Sequence, residues 1–278
     1  MKKKNGNESK VVKTLLITIA LLFFVCMLLF PLFLVFAKAF EKGAALYLAS
    51  ITDPMAGKAI KLTLLTIAIV VPINTVFGLA AAWAIAKFKF KGKNLLLTLI
   101  DLPFAISPVV AGLIFVLLFS TTHGLFASVL SEWGLKIIFA PPGIVLATLF
   151  VTLPFVAREL IPLMEVQGTA EEEAALTLGA SGFKTFLRIT LPNIKWALLY
   201  GVMLTAARAA GEFGAVSVVS GHIRGLTNTM SLYVEILYNE YKFSAAFAVA
   251  SLLTLIAIIN LVIKNIADWK NKKIEEEL

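Results

Sequence analysis

Residues 14–37 read TLLITIALLFFVCMLLFPLFLVFA, 24 consecutive positions without a charged residue. About 20 such residues let a helix cross a hydrocarbon core of about 30 Å. In lipid the backbone must satisfy its own hydrogen bonds, and a helix of this length does so. Lys2, Lys3 and Lys4 precede the run, and Ala37-Lys38-Ala39 has a small-x-small form, so a secretory leader must be weighed. The apolar part of a leader spans about 7–15 residues. This run is longer and reads as a membrane anchor.

Working outward, residues 62–86, 137–157 and 243–263 also lack charge. Residues 95–119 are apolar except for Asp101, and residues 196–219 except for Arg208 and Glu212. The expected fold is an all-α integral membrane protein with six transmembrane helices. The whole chain agrees: 59% of its 278 residues are hydrophobic and 15% are charged, against about half and about a quarter in soluble domains. That excludes a disordered chain, which is poor in apolar residues. Cys26 is the only cysteine, so neither an internal disulfide nor a cysteine zinc cluster can form.

The net charge of +8 raises the question of nucleic acid. Its placement answers it. With the N-terminus inside, the inner segments carry 17 Lys and Arg residues and the outer loops carry 7. This asymmetry sets orientation, with both termini cytoplasmic. Topology and lipid contact account for the surplus, and no nucleic-acid partner is expected. The division is a basic N-terminus at 1–13, a transmembrane domain at 14–264 and a charged cytoplasmic tail at 265–278.

Within the transmembrane domain, the inner loop at 158–195 is long for a simple connection. Thr169 is placed to cap a helix, with Glu172 three residues on as a capping box. Glu171, Glu172 and Glu173 suit the positive end of the helix dipole. Gly179 is placed to end that helix in a left-handed conformation. A second short helix is expected from Ser181, with Pro192 stopping it. An amphipathic hairpin lying on the bilayer is the plainer reading, but three adjacent glutamates suit an anionic leaflet poorly. A protein dock fits better, with Ala174, Ala175 and Gly179 allowing close approach and Phe183 and Phe186 as anchors.

Glu173-Ala174-Ala175, then Gly179, then Ile189-x-Leu191-Pro192 resembles the EAA loop of ABC importer permeases. Asp101-Leu102-Pro103-Phe104-Ala105-Ile106-Ser107-Pro108 is similar to the start of the third helix in sulfate and molybdate permeases. Gly211-Glu212-Phe213-Gly214-Ala215 is similar to a segment that both groups share. Val216 to Gly225 looks more like the sulfate branch, and over most of its length the chain resembles the second membrane subunit of sulfate/thiosulfate importers. The resemblance implies a type I ABC importer permease fold and a coupling helix formed by Glu172, Glu173, Ala174, Ala175, Gly179, Ile189, Leu191 and Pro192. It implies uptake of sulfate or thiosulfate at a bacterial cell membrane. The implied partners are a second permease subunit in a heterodimer, two cytoplasmic ABC ATPase subunits, an extracytoplasmic sulfate-binding protein and membrane lipid. The alternative within the group is a molybdate or tungstate permease.

The chain has no G-x-x-x-x-G-K-[ST] pattern, so nucleotide phosphates have no P-loop here. It is therefore expected to be a transporter subunit and not an enzyme, with ATP hydrolysed by a partner and no cofactor of its own. An intramembrane enzyme would need a nucleophile–base or carboxylate pair at bilayer depth, and a passive channel has no use for a docking loop. Arg208 and Glu212 share a helix face. They form either a helix latch or, with Ser217 and Ser220, part of an anion path, and the latch is favoured because Glu212 neutralises the arginine. Ala207, Gly211 and Ala215 beside them suggest close helix packing. Asp101 reads as a helix cap or interfacial residue before a proton relay. Pro103, Pro108 and Pro154 mark kinks or breaks. Thr227, Asn228 and Thr229 read as loop residues before anion donors. His123 and His222 lack partners for a metal. Trp133, Trp196, Tyr200, Tyr233 and Trp269 read as interfacial anchors.

Overall fold

The structure is a computed structural model that describes residues 10–276. Lys2, Lys3 and Lys4 lie outside the described residues, as do the side chains of Lys10, Lys264, Trp269, Lys270, Lys272 and Lys273. Among the described residues every regular element is helical. Helix α1, Val12–Phe40, runs through a wide π turn at Val25–Leu29. Its apolar window is wholly uncovered by the rest of the chain. A short helix α2, Ala44–Ile51, leads to α3, Pro54–Lys87. Helix α3 starts where Asp53 accepts the N–H groups of Met55 and Ala56 at 2.8 and 3.2 Å. Pro54 occupies the first turn, where no N–H is needed.

The expected third span is a bent pair. Helix α4, Lys93–Ala105, and helix α5, Pro108–Phe119, meet at 107°. Pro108 drives its predecessor Ser107 out of the helical region, to φ −57° and ψ 135°. After α6, Ala127–Glu132, comes α7, Pro141–Gln167. It starts later than residue 137 and continues ten residues past Ala157 to a helical end at Gln167. The inner loop is correspondingly shorter than 158–195.

Helix α8, Ala170–Thr177, follows, and then α9, Gly182–Ala210. Pro192 does not stop a helix. It lies in the first turn of the regular part of α9, just after a π turn at Phe186–Thr190. The wider turn accommodates a ring that cannot donate an N–H. The expected fifth span also breaks: α10, Gly214–Ser220, leaves α9 at 49°. Helices α11, Met230–Asn239, and α12, Phe243–Glu276, complete the chain.

Helix α7 is the centre. It packs between α3 and α9, and their contact is close because two glycines face it. A Cβ on Gly78 would sit 2.6 Å from the Val156 Cβ, and one on Gly201 3.0 Å from the Val156 Cα. Around Val156 lies a core of Ala82, Ile85, Leu160, Met164 and Ile194. Asn74, buried in α3, donates to Thr152 Oγ1 at 2.8 Å and to the Leu149 carbonyl at 3.1 Å, tying α3 to α7. The two breaks pack on each other. Gly112 faces the Ala215 carbonyl and Gly214 faces Pro108 too closely for side chains. Gly211, expected to pack a helix, is exposed in the break itself, and a Cβ there would make only an ordinary contact with the Ala207 carbonyl at 3.8 Å.

Candidate docking site and intramembrane charges

Helix α8 hangs between α7 and α9, and its position is set by its glutamates. Thr169 is the N-cap residue, but the capping box is not formed. Its hydroxyl donates to Glu173 Oε1 at 2.6 Å. Glu172 turns the other way, to Lys87 Nζ at 2.7 Å, and accepts from the Thr190 hydroxyl at 3.1 Å. A buried ammonium is a stronger donor than a backbone N–H at a solvated helix start. Glu171 accepts from Asn193 Nδ2 at 2.5 Å. Lys87 also donates to the Gly168 carbonyl. The helix is thereby tied to the end of α3 and to the start of α9.

Burial pushes the Glu172 carboxyl up. Hydrogen bonding from Lys87, the Glu172 backbone N–H, the Lys87 charge and the Thr190 hydroxyl outweigh it and hold it below the usual carboxylate range. The Glu172 carboxylate is therefore ionised at neutral pH.

The C-terminal end of α8 closes as a Schellman motif. Gly179 N–H donates to the Leu176 carbonyl and Ala180 N–H to the Ala175 carbonyl, both at 3.0 Å. Gly179 has φ +84° and nothing within 4 Å of an added Cβ. Glycine is needed there for its backbone angle, and the space beside it is open. Ser181 then caps the start of α9 through the Lys184 N–H.

The tip carries uncovered apolar side chains: Leu178 is 89% exposed and Phe183 74%. Ala174 is exposed and Ala175, Ile189 and Leu191 are half-buried, while Pro192 is exposed. Phe186 is not a free anchor, because its ring lies 5.1 Å from that of Trp83. Trp83, Lys87, Glu172, Leu176, Thr185 and Phe186 line a cavity of about 360 Å³ between α3, α8 and α9. The residues missed from the sequence are Lys87, Thr190, Asn193 and Leu178. Lys87 carried only a topological signal, and its partner is far along the chain.

Arg208 and Glu212 do meet, with Nη1 to Oε2 at 2.6 Å. Glu212 is buried and its Oε1 accepts the Ala215 N–H at 2.9 Å. The carboxylate thus bridges the break between α9 and α10. Ser217 donates to the Gly214 carbonyl, and Ser220 accepts the His222 N–H. Both hydroxyls are engaged locally and neither is joined to Arg208. Asp101 caps nothing; it pairs with Arg158 across α4 and α7. Tyr233 is not an interfacial anchor. It is buried and donates to Asp53 at 3.1 Å, tying α11 to the start of α3. Thr227, Asn228 and Thr229 are likewise buried. Among the described residues no group of His, Cys, Asp and Glu has the arrangement of a metal site.

Comparison with known proteins follows the same lines. Residues 74–276 match the family described as "Binding-protein-dependent transport system inner membrane component". The chain is 52% identical over 258 residues to the sulfate transport system permease protein CysW of Escherichia coli, covering 93% of this chain and 88% of that one. It is 38% identical over 240 residues to the sulfate transport system permease protein CysT of the same organism, covering 86% of each. A chain of a bacterial alginate ABC transporter, solved with an alginate-bound periplasmic protein, superposes with a TM-score of 0.76 at 19% identity, covering 95% of this chain and 94% of that one. That likeness concerns the fold alone.

Proposed function

The chain belongs to the family of binding-protein-dependent transport system inner membrane components, and from that premise we propose that it is the sulfate permease subunit of an ATP-driven importer. It lies in a cell membrane with both termini on the cytoplasmic side. It pairs with a second, related permease chain and receives sulfate from an external binding protein. ATP is hydrolysed by two P-loop subunits that seat on α8 and its flanks, through Glu173, Ala174, Ala175, Gly179 and the tip residues Leu178 and Phe183.

One observation supports this above the others. Helix α8 is fastened to α3 and α9 through Glu171 and Glu172, while its apolar tip is covered by nothing in the chain. A part held this firmly moves as a rigid body when its tip is pushed, and it moves α3 and α9 with it. The relatives named for sulfate transport favour sulfate over molybdate as the cargo.

The test is labelled sulfate uptake in cells lacking this chain. Wild type should restore uptake, with thiosulfate competing and molybdate not. Restoration of molybdate uptake alone would transfer the reading to a molybdate permease. In the same cells Leu178→Asp and Gly179→Asp should each reduce co-purification of the P-loop ATPase at least fivefold and lower uptake with it. Full assembly in both variants would sink the docking role.

A further inference from the structure

The Asp101–Arg158 pair stands apart from the docking site. Arg158 Nε donates to Asp101 Oδ1 at 2.7 Å, yet the two side chains are 56% and 40% exposed. Arg158 lies nine residues before the end of α7, and Asp101 eight residues after the start of α4. At the helical rise these are depths of about 13 and about 12 Å from the helix ends. Asp101 falls within the apolar stretch 95–119, Arg158 directly follows the uncharged stretch 137–157, and both are uncovered by their own chain. Ionisable groups placed so face a bundle interior or a water-filled cavity, because lipid cannot solvate them.

Three further observations give this face a chemistry. Asp101 holds the guanidinium through Nε, which leaves the Nη side of the fork for another acceptor. A cavity of about 220 Å³ opens there, lined by Leu97, Ile100, Asp101, Arg158, Ile161 and Pro162. The guanidinium carbon sits 5.5 Å over the Phe104 ring, and Phe104 packs edge-on against Phe155 at 5.4 Å, which orients the fork. The pair also lies just before the sharp bend between α4 and α5.

We propose that Arg158 is an anion-binding residue of the translocation path, taking a tetrahedral dianion on its Nη side with Asp101 as its resting counter-ion. Asp101 keeps the arginine neutralised while the site is empty. An arriving sulfate competes for the guanidinium, and Asp101 takes it back as the anion leaves. This rests on the reading of the chain as a sulfate permease.

The experiment compares labelled sulfate uptake by the whole importer carrying Arg158→Gln, Arg158→Lys, Asp101→Asn or the exchange Asp101→Arg with Arg158→Asp, with ATPase co-purification measured in each. Arg158→Gln should lower the uptake rate at least tenfold with assembly unchanged, and Asp101→Asn should lower it much less. The exchange should transport no better than Arg158→Gln, because a latch survives reversal and an anion site does not. Uptake restored by the exchange, or wild-type uptake in Arg158→Gln, overturns the proposal in favour of a latch or a bystander. If Arg158→Gln fails to assemble, the other two single substitutions decide. Asp101→Asn at or above Arg158→Lys supports the site, and abolished uptake in Asp101→Asn beside full uptake in Arg158→Lys overturns it. Failure of wild type itself to restore sulfate uptake would strike the parent reading instead.

Discussion

Two cation–carboxylate pairs in this chain share their chemistry and invert their burial. At Lys87–Glu172 the ammonium is the deeper partner, with side-chain exposures of 6% and 18%. At Arg208–Glu212 the carboxylate is deeper, with exposures of 34% and 1%. Each pair ties a joint between helices: the attachment of α8 to α3 in the first case, the α9–α10 break in the second. The difference teaches which half of a pair matters more. Removing the outer partner strands a charge that water cannot reach, whereas removing the inner one leaves a charge that water can solvate.

The largest effect is therefore expected from Arg208→Gln. It leaves the Glu212 carboxylate in the α9–α10 break with the Ala215 N–H as its remaining partner. Stranding a buried charge costs about 3 kcal/mol or more. Uptake should fall at least tenfold while membrane insertion is unchanged. Glu212→Gln should be milder, since its amide oxygen still accepts from Ala215 and Arg208 reaches water. Equal loss in both variants, measured as uptake per inserted chain, would break the comparison. Wild-type uptake in Arg208→Gln would also remove Arg208 from the neighbourhood of the path.

Next is Glu172→Ala, which strands Lys87 and removes the acceptor of Thr190. The cost is about 2–3 kcal/mol, at the lower end for a buried pair because Glu172 is partly open to water. Amide hydrogen exchange across residues 168–190 should rise at least tenfold, and the ATPase should co-purify less. Adding Lys87→Met to the same chain should recover part of the protection, because no charge is then stranded. Protection unchanged by Glu172→Ala would show that α8 is held by its other contacts.

How much of this was legible in the sequence follows from the range of each force. The apolar spans were visible because lipid imposes a length on any helix that crosses it. Thr169 as a cap residue and Gly179 as a left-handed end were visible because both are rules about neighbours. The capping box failed because Lys87, far away in sequence, competes for Glu172. The Ala207-Gly211-Ala215 spacing misled because it assumes an unbroken helix, and the helix breaks at Gly211. The glycines that pack closely on α7, Gly78 and Gly201, lie on different helices and share their target Val156. Pro108 announced a break between α4 and α5, but its angle depends on how α5 packs against α10.

The smallest effect expected is that of pH on the docking tether. Glu172 titrates below its ordinary value of 4.5 in the folded chain. A carboxyl depressed by folding contributes stability that is fully present above its unfolded pKa and is lost as pH falls through the folded one. The Lys87–Glu172 tether should therefore hold unchanged from neutral pH down to about pH 5 and weaken only below the usual carboxylate range near 4.5. Hydrogen exchange at residues 168–190, corrected for its intrinsic pH dependence, should show constant protection between pH 7 and pH 5. A loss of protection near pH 6 would mean that the tether is held by a group that titrates there. The burial argument would then have named the wrong partner for Lys87.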